Sequence, residues 1–227
     1  MDFLRKIKNS TPNRALVLMY HRIADLDNDP WQLAVSSSNF EQQLKVLKEN
    51  YRLISVNELI NHLDRKSIPK HSVCITFDDG YRDNYLTAKP LLEKYKCPAT
   101  FFISSHYIDH QQSFWWDELL EIILETETLP QKLSLIINEE SFEFSLYDDC
   151  VLTDEQRENL KNWVWNEKSP NRRCALYLEL WERLRLLQFD DLQTVLGEIK
   201  TWADSNGINE QNLPMTSEQL FEIACQP

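Results

Sequence analysis

Residues 72–85 read Ser-Val-Cys-Ile-Thr-Phe-Asp-Asp-Gly-Tyr-Arg-Asp-Asn-Tyr, an apolar run that drives straight into two adjacent carboxylates, Asp78 and Asp79. Val73, Cys74, Ile75 and Phe77 show little polar alternation, the pattern of a strand buried on both faces of a parallel sheet. His71 and Lys70 bound the run on one side and the turn residue Gly80 on the other. Asp78 and Asp79 are therefore expected at the carboxyl end of a strand, the edge where α/β folds gather their loops and place their chemistry. Successive side chains diverge there, so one carboxylate is available to a cation and its neighbour to a proton. Asp-Asp-Gly is also an ordinary turn, and the surrounding residues carry the choice between the two readings.

Upstream, residues 15–20 form a second short apolar strand that ends at His21, again a polar side chain at a carboxyl edge and a candidate to line the same site. The polar stretch 25–39 closes on a helix signal, Ser38 with Glu41 as a capping box, after which Phe40, Leu44 and Leu47 recur at helical spacing. Ser55 and Glu58 repeat the device for a second helix with Leu59, Ile60 and Leu63 inward. Downstream, residues 83–95 read as a helix with Leu91, Leu92 and Tyr95 on the buried side, bent or restarted by Pro90. Residues 99–103 are the next buried strand. Strand, helix and strand at this spacing imply right-handed crossovers and a parallel sheet.

Residues 113–213 do not repeat that pattern. Residues 114–125 form an amphipathic helix. Leu133, Leu135 and Ile137, then Phe142, Phe144 and Leu146, alternate at period two around Asn138-Glu139-Glu140, which reads as a hairpin. Thr153 and Gln156 cap a further helix, and residues 172–187 and 191–206 give two more, the last stopped at Gly207. Trp115, Trp116, Trp163, Trp165 and Trp181 read as core residues in preference to a sugar-stacking platform, because large aromatics are stabilised chiefly by burial.

Composition bounds the function. A chain of 227 residues with 42% hydrophobic content can bury a core as one domain or a domain with a large insertion. The net charge of −12, without a basic patch, argues against nucleic acid and anionic membrane surfaces. The five cysteines, Cys74, Cys97, Cys150, Cys174 and Cys225, are odd in number, widely spaced and form no Cys-x-x-Cys pair, which suits reduced buried thiols. Residues 1–8 lack the apolar core of a signal peptide, and no stretch approaches the roughly 18 apolar residues of a spanning helix. A cytoplasmic protein without a membrane span is expected.

Thr76-Phe77-Asp78-Asp79-Gly80-Tyr81, then Pro90-Leu91-Leu92, then Pro98-Ala99-Thr100-Phe101-Phe102 together resemble the polysaccharide deacetylase family (NodB homology domain, carbohydrate esterase family 4). The resemblance extends to Leu18-Met19-Tyr20-His21-Arg22 upstream and Phe114-Trp115-Trp116-Asp117 downstream. It implies an α/β fold, an incomplete distorted (β/α) barrel of the NodB type with a mainly helical insertion. Residues 1–112 would be the first part of the barrel, 113–213 an inserted helical subdomain with a β-hairpin, and 214–227 the return to the barrel.

The resemblance also implies a reaction, the removal of acetyl groups from N- or O-acetylated sugars of a polysaccharide or oligosaccharide. In the family a divalent metal, commonly zinc, is held by the second aspartate of the motif and two histidines and activates a water. Carried over, Asp79 is the metal ligand and Asp78 the general base, with Thr76, Tyr81 and His21 lining or supporting the site. Residues 215–227 resemble the capped helix that precedes the family's histidine-bearing strand, and that strand does not follow. The chain is therefore expected to be an N-terminal part of such an enzyme, truncated before the histidine metal motif and inactive as given. Two alternatives stay open: a non-catalytic binding or scaffold protein that keeps the first half of the fold, and a metalloenzyme with a rebuilt site using His106 and His110. Their His-x-x-x-His spacing on a helix puts two imidazoles on one face. The family's histidine pair follows a later strand, so His106 and His110 are expected in a solvated loop.

Overall fold

The structure is a computed structural model describing residues 14–110, 112–205 and 209–224. The N-terminal residues 1–8, the helix stop expected at Gly207 and Cys225 lie outside the described residues. Two compact units divide the chain, one of Met1–Leu26, Leu33–His110 and Leu213–Pro227, the other of Asp27–Gln32 and Gln111–Asn212. Residues 27–32, read from the sequence as part of the barrel's polar loop, thus cluster with the second unit.

The first unit is built on a parallel sheet whose centre is β3 (Ser72–Phe77), buried along its whole length. β1 (Ala15–Tyr20) pairs with one side of β3; β2 (Arg52–Leu53) and β4 (Ala99–Phe101) pair with its other side, all in parallel. The register is level at the carboxyl edge, where Tyr20 lies opposite Phe77 and Phe77 opposite Phe101. Leu16, Leu18 and Tyr20 share a face with Val73, Ile75 and Phe77, and that face packs on Phe40, Leu44 and Leu47 of α1 (Ser37–Asn50). Tyr20, Phe40 and Phe77 meet at ring separations of 5.1, 5.5 and 5.8 Å, and Phe77 stacks on Phe101 at 4.9 Å. Val17, Met19 and Phe102 are about half exposed.

Two local expectations are corrected here. The cap of α1 is Ser36, whose hydroxyl accepts from the Asn39 amide at 3.2 Å, and Ser38 lies inside the helix. Glu41 is drawn instead to Lys94 Nζ and Tyr95 Oη at 2.7 and 2.6 Å, tying α1 to α3 (Lys89–Tyr95). In α2 (Val56–Asp64) the Ser55–Glu58 capping box forms as read, but Ile60 and Leu63 are about half exposed and no residue of the helix is buried. Between β3 and α3, residues Asn84–Ala88 form a π-helical turn, and α3 restarts at Lys89 with Pro90 in its first turn, where a missing N–H costs nothing.

In the second unit, α4 (Trp115–Leu120) runs into a π-helical turn, Glu121–Glu125. The hairpin of β5 (Lys132–Ile137) and β6 (Glu140–Ser145) turns on Asn138 and Glu139 at φ 51° and 66°, a two-residue loop with both residues left-handed, which suits the twist of the strands. Helices α5 (Asp154–Asn162), α6 (Arg172–Leu184) and α7 (Phe189–Ala203) follow. The Thr153–Gln156 capping box is present, and α7 ends at Asp204 in the left-handed region, three residues before the expected glycine. Arg173 organises this unit. It is fully buried, and its guanidinium donates to the carbonyls of Ile123, Thr126, Glu127, Asp149 and Cys150 at 2.6–3.2 Å. Burial pulls its pKa down to about 10. The final helix, α8 (Ser217–Ala224), belongs to the first unit. Among the described residues no helix is long and apolar enough to cross a membrane.

Candidate active site

The level register of β1 and β3 brings two sequence-distant residues together. Since Tyr20 pairs with Phe77, the next residues of the two strands, His21 and Asp78, emerge side by side at the carboxyl edge. The Asp78 amide continues the ladder by donating to Tyr20 O at 2.9 Å. The chain then turns at once: the Gly80 amide bonds to Asp78 O at 2.9 Å around Asp79, which sits at φ 70°. This is a γ-turn of the rare positive-φ kind, and holding a non-glycine residue there costs on the order of 1–3 kcal/mol, a cost that recurs at functional sites.

The turn is pinned from several directions. Asp79 O accepts from the Ser104 amide at 3.0 Å, and Gly80 O from the Met215 amide at 2.9 Å. Gly80 itself is at φ 89°, and a Cβ there would stand 3.0 Å from Ile103 Cδ1. Tyr81 bridges antiparallel to Pro214, and the Arg82 amide bonds to Leu213 O at 2.9 Å. The motif is therefore clasped by residues 213–215 and by Ser104, just beyond β4.

Burial raises the Asp79 pKa, opposed by the positive field of His21 and reinforced by the negative charge of Asp78. Two adjacent carboxylates, one of them partly desolvated, form a site that is stabilised by a shared cation or a shared proton. His21 is held by its backbone: Asn84 Nδ2 donates to His21 O at 2.9 Å, and to Asp83 Oδ1 at 2.9 Å. Asp83 in turn accepts from the Ile23 amide and from Arg22 Nε, both at 3.0 Å. The Arg22 and Asp83 side chains are 3% and 11% exposed, so this is a buried ion pair, and the guanidinium lies 4.3 Å above the Tyr81 ring. Asn84 Oδ1 is buried with no hydrogen-bond partner among the described residues.

Asp78, Asp79, His21 and Tyr81 are thus gathered at one strand edge. Tyr81 is fully buried and supports Arg22. Thr76 remains within β3, buried, with its hydroxyl donating to Leu18 O at 3.4 Å. His106 and His110 lie on an exposed loop around a short 3₁₀ turn, Ser105–Tyr107, and their rings are parallel at 5.7 Å. The sequence reading missed Arg22, Asp83 and Asn84. Asp83 and Asn84 lie inside the stretch 72–85, and a charge pair 61 residues apart carries no local signal. A cavity of about 570 Å³ lined by Lys89, Leu92, Lys96, Cys97, Phe101 and Ile223 contains neither aspartate.

A zinc-type ion is held by three or four protein donors. Among the described residues no group of three or more His, Cys, Asp and Glu side chains is placed to hold one. Asp79 has the charge of Asp78 and the field of His21 beside it. These residues do not by themselves fit a closed metal centre.

Comparison with known proteins places the motif. Residues 65–130 match the family model described as polysaccharide deacetylase. The chain is similar to the putative polysaccharide deacetylase YxkH of Bacillus subtilis, 35% identical over 118 residues, covering 51% of this chain and 41% of that protein. It is also 35% identical over 123 residues to the poly-beta-1,6-N-acetyl-D-glucosamine N-deacetylase of Staphylococcus aureus, covering 48% of this chain and 42% of that one. The matches thus span about two fifths of the length of these curated relatives. Among solved structures, a de-N-acetylase from Aggregatibacter actinomycetemcomitans aligns at 21% identity and a TM-score of 0.40 over 64% of this chain and 68% of that chain.

Proposed function

We propose that this chain, a polysaccharide deacetylase sequence over residues 65–130, carries the aspartate part of an active site that hydrolyses acetyl groups from an N-acetylated or O-acetylated amino-sugar polymer. The observation that carries the reading is the Asp78–Asp79 pair at a strand's carboxyl edge with His21 delivered beside it by register. Asp78, whose amide is fixed to Tyr20 O, takes the role of general base and accepts the proton of the attacking water. Asp79, locked in its γ-turn, takes the role of ligand to a divalent cation, zinc by analogy with the family, with His21 lining the same edge. Tyr81 acts through Arg22, and Thr76 through the β1–β3 junction.

Acetate release from β-1,6- and β-1,4-linked N-acetylglucosamine oligomers, with zinc, cobalt or nickel added, tests the reading. Asp78→Asn and Asp79→Asn should each abolish release while leaving the fold intact. Release that survives Asp79→Asn would overturn the assignment. Loss of release on His106→Ala or His110→Ala would move the metal to that loop.

A further inference from the structure

The π-helical turn Glu121–Glu125 holds two of the segments at which the chain crosses between its units. Asn28, in the short excursion 27–32, donates from Nδ2 to Glu125 Oε1 at 2.9 Å. Asn212, the last residue of the second unit, donates from Nδ2 to Glu121 Oε1. Asn212 is buried, and the residues that follow it directly are those that clasp the aspartate motif in the first unit. Leu213 O accepts from the Arg82 amide and the Met215 amide donates to Gly80 O, both at 2.9 Å. One side-chain hydrogen bond thus fixes the residue from which the clasp on the Asp79–Gly80 turn starts.

The acceptor of that bond is poorly placed to carry a negative charge. Glu121 is partly buried, and the charges that act on it are two acids, Glu125 on its own turn and Glu118 of α4, against one base, Lys200 of α7, which already pairs with Glu118 at 2.7 Å. Arg173 of α6 gives its donors to backbone carbonyls, among them Ile123 O of this same turn. Burial, reinforced by Glu125 and Glu118 and opposed by the Asn212 amide and Lys200, pushes Glu121 up to about 7. A neutral Glu121 accepts from Asn212 without desolvating a charge, whereas an ionised one is relieved by turning to water, which gives up the bond. We propose that the Glu121–Asn212 contact is a proton-operated latch on the clasp: protonated Glu121 keeps residues 213–215 closed on the Gly80 turn, and its ionisation lets them open. The latch does not depend on what reaction the aspartates perform. An open form with Glu121 in water ionises near the ordinary value of 4.5, so closure is fully favoured below that pH, weakens as pH rises from 4.5 to 7, and changes no further above about 7.

Amide hydrogen exchange of the full chain, followed by NMR from pH 5 to pH 8 with each rate referred to the intrinsic rate at that pH, reads the latch at the Arg82 and Met215 amides, with the β3 amides as internal reference. In wild type, protection of Arg82 and Met215 should fall by about tenfold or more between pH 5 and pH 7 and then level off. In Glu121→Gln, whose side-chain oxygen still accepts from Asn212, protection should stay at the acid level throughout. In Asn212→Ala it should be low throughout, and β3 should keep its protection in all three proteins. Protection in wild type that is independent of pH, or full protection in Asn212→Ala, overturns the proposal. A fall that persists in Glu121→Gln, as titration of His21 would give, overturns it too, and so does a fall shared equally by β3, which would be unfolding of the whole first unit.

Discussion

Removing the positive partner of the Arg22–Asp83 pair should be among the most damaging single changes near the aspartate edge. In Arg22→Met, Asp83 keeps the Ile23 amide and Asn84 Nδ2 but loses a guanidinium at 3.0 Å, with its side chain only 11% exposed. Breaking a buried pair on one side costs about 3–5 kcal/mol, and the contact with the Tyr81 ring, about 0.5–2 kcal/mol, falls partly within that figure. Against a total of about 5–15 kcal/mol, the variant should fold but be marginal. Asp83→Asn removes the negative charge that faces the guanidinium and should cost a similar amount. The double variant Arg22→Met/Asp83→Asn removes both charges and keeps an oxygen to accept from Ile23, so it should be no less stable than the worse single variant. Native-state hydrogen exchange at the β3 amides reads the first unit separately from the second, and the cycle should return a coupling of roughly 2 kcal/mol or more. The amides of residues 21–23 should lose protection first, since the pair holds that loop. Losses under about 1 kcal/mol for Arg22→Met, or additive single variants, would refute the view that this pair fixes His21.

Ile75→Asp should abolish cooperative folding, because Ile75 is buried in the central strand and an unpaired buried charge costs several kcal/mol, whereas Asp78→Asn should melt like wild type; circular dichroism on heating separates them. Gly80→Ala should cost about 1–2 kcal/mol from its φ of 89° and its approach to Ile103, and unchanged urea stability would argue against the clasped turn. Glu121, pushed up to about 7 by burial, binds more protons folded than unfolded between pH 4.5 and 7, so its contribution is fully present below that window and is lost as pH rises through it. Glu121→Gln should therefore gain roughly 1–2 kcal/mol at pH 8, discounted for its partial exposure, and nothing at pH 4; a difference independent of pH would contradict this.

Much of this protein is written in short-range pattern. The apolar run before Asp78, the Ser55–Glu58 and Thr153–Gln156 boxes and the period-two hairpin around Asn138 and Glu139 each depend on neighbours within a few residues, and each forms as the residues imply. Family motifs rest on the same contiguous letters. Where two local solutions compete, the fold chooses: Ser36 and not Ser38 caps α1 because Glu41 is claimed by Lys94 and Tyr95 from a helix some fifty residues on. Helical spacing likewise marks Ile60 and Leu63 as one face of α2 but does not say whether anything packs against it, and in this structure they stay about half exposed. The neighbours of Asp79 are wholly a tertiary matter. His21 stands beside the aspartates because Tyr20 and Phe77 share a register, Arg22 meets Asp83 across 61 residues, and Asp79 is held at φ 70° by contacts from Ser104 and Met215. Chain propensity acts over a turn or two of backbone, whereas strand register and buried charge pairing are set by which surfaces exclude water together, and only the folded chain determines that.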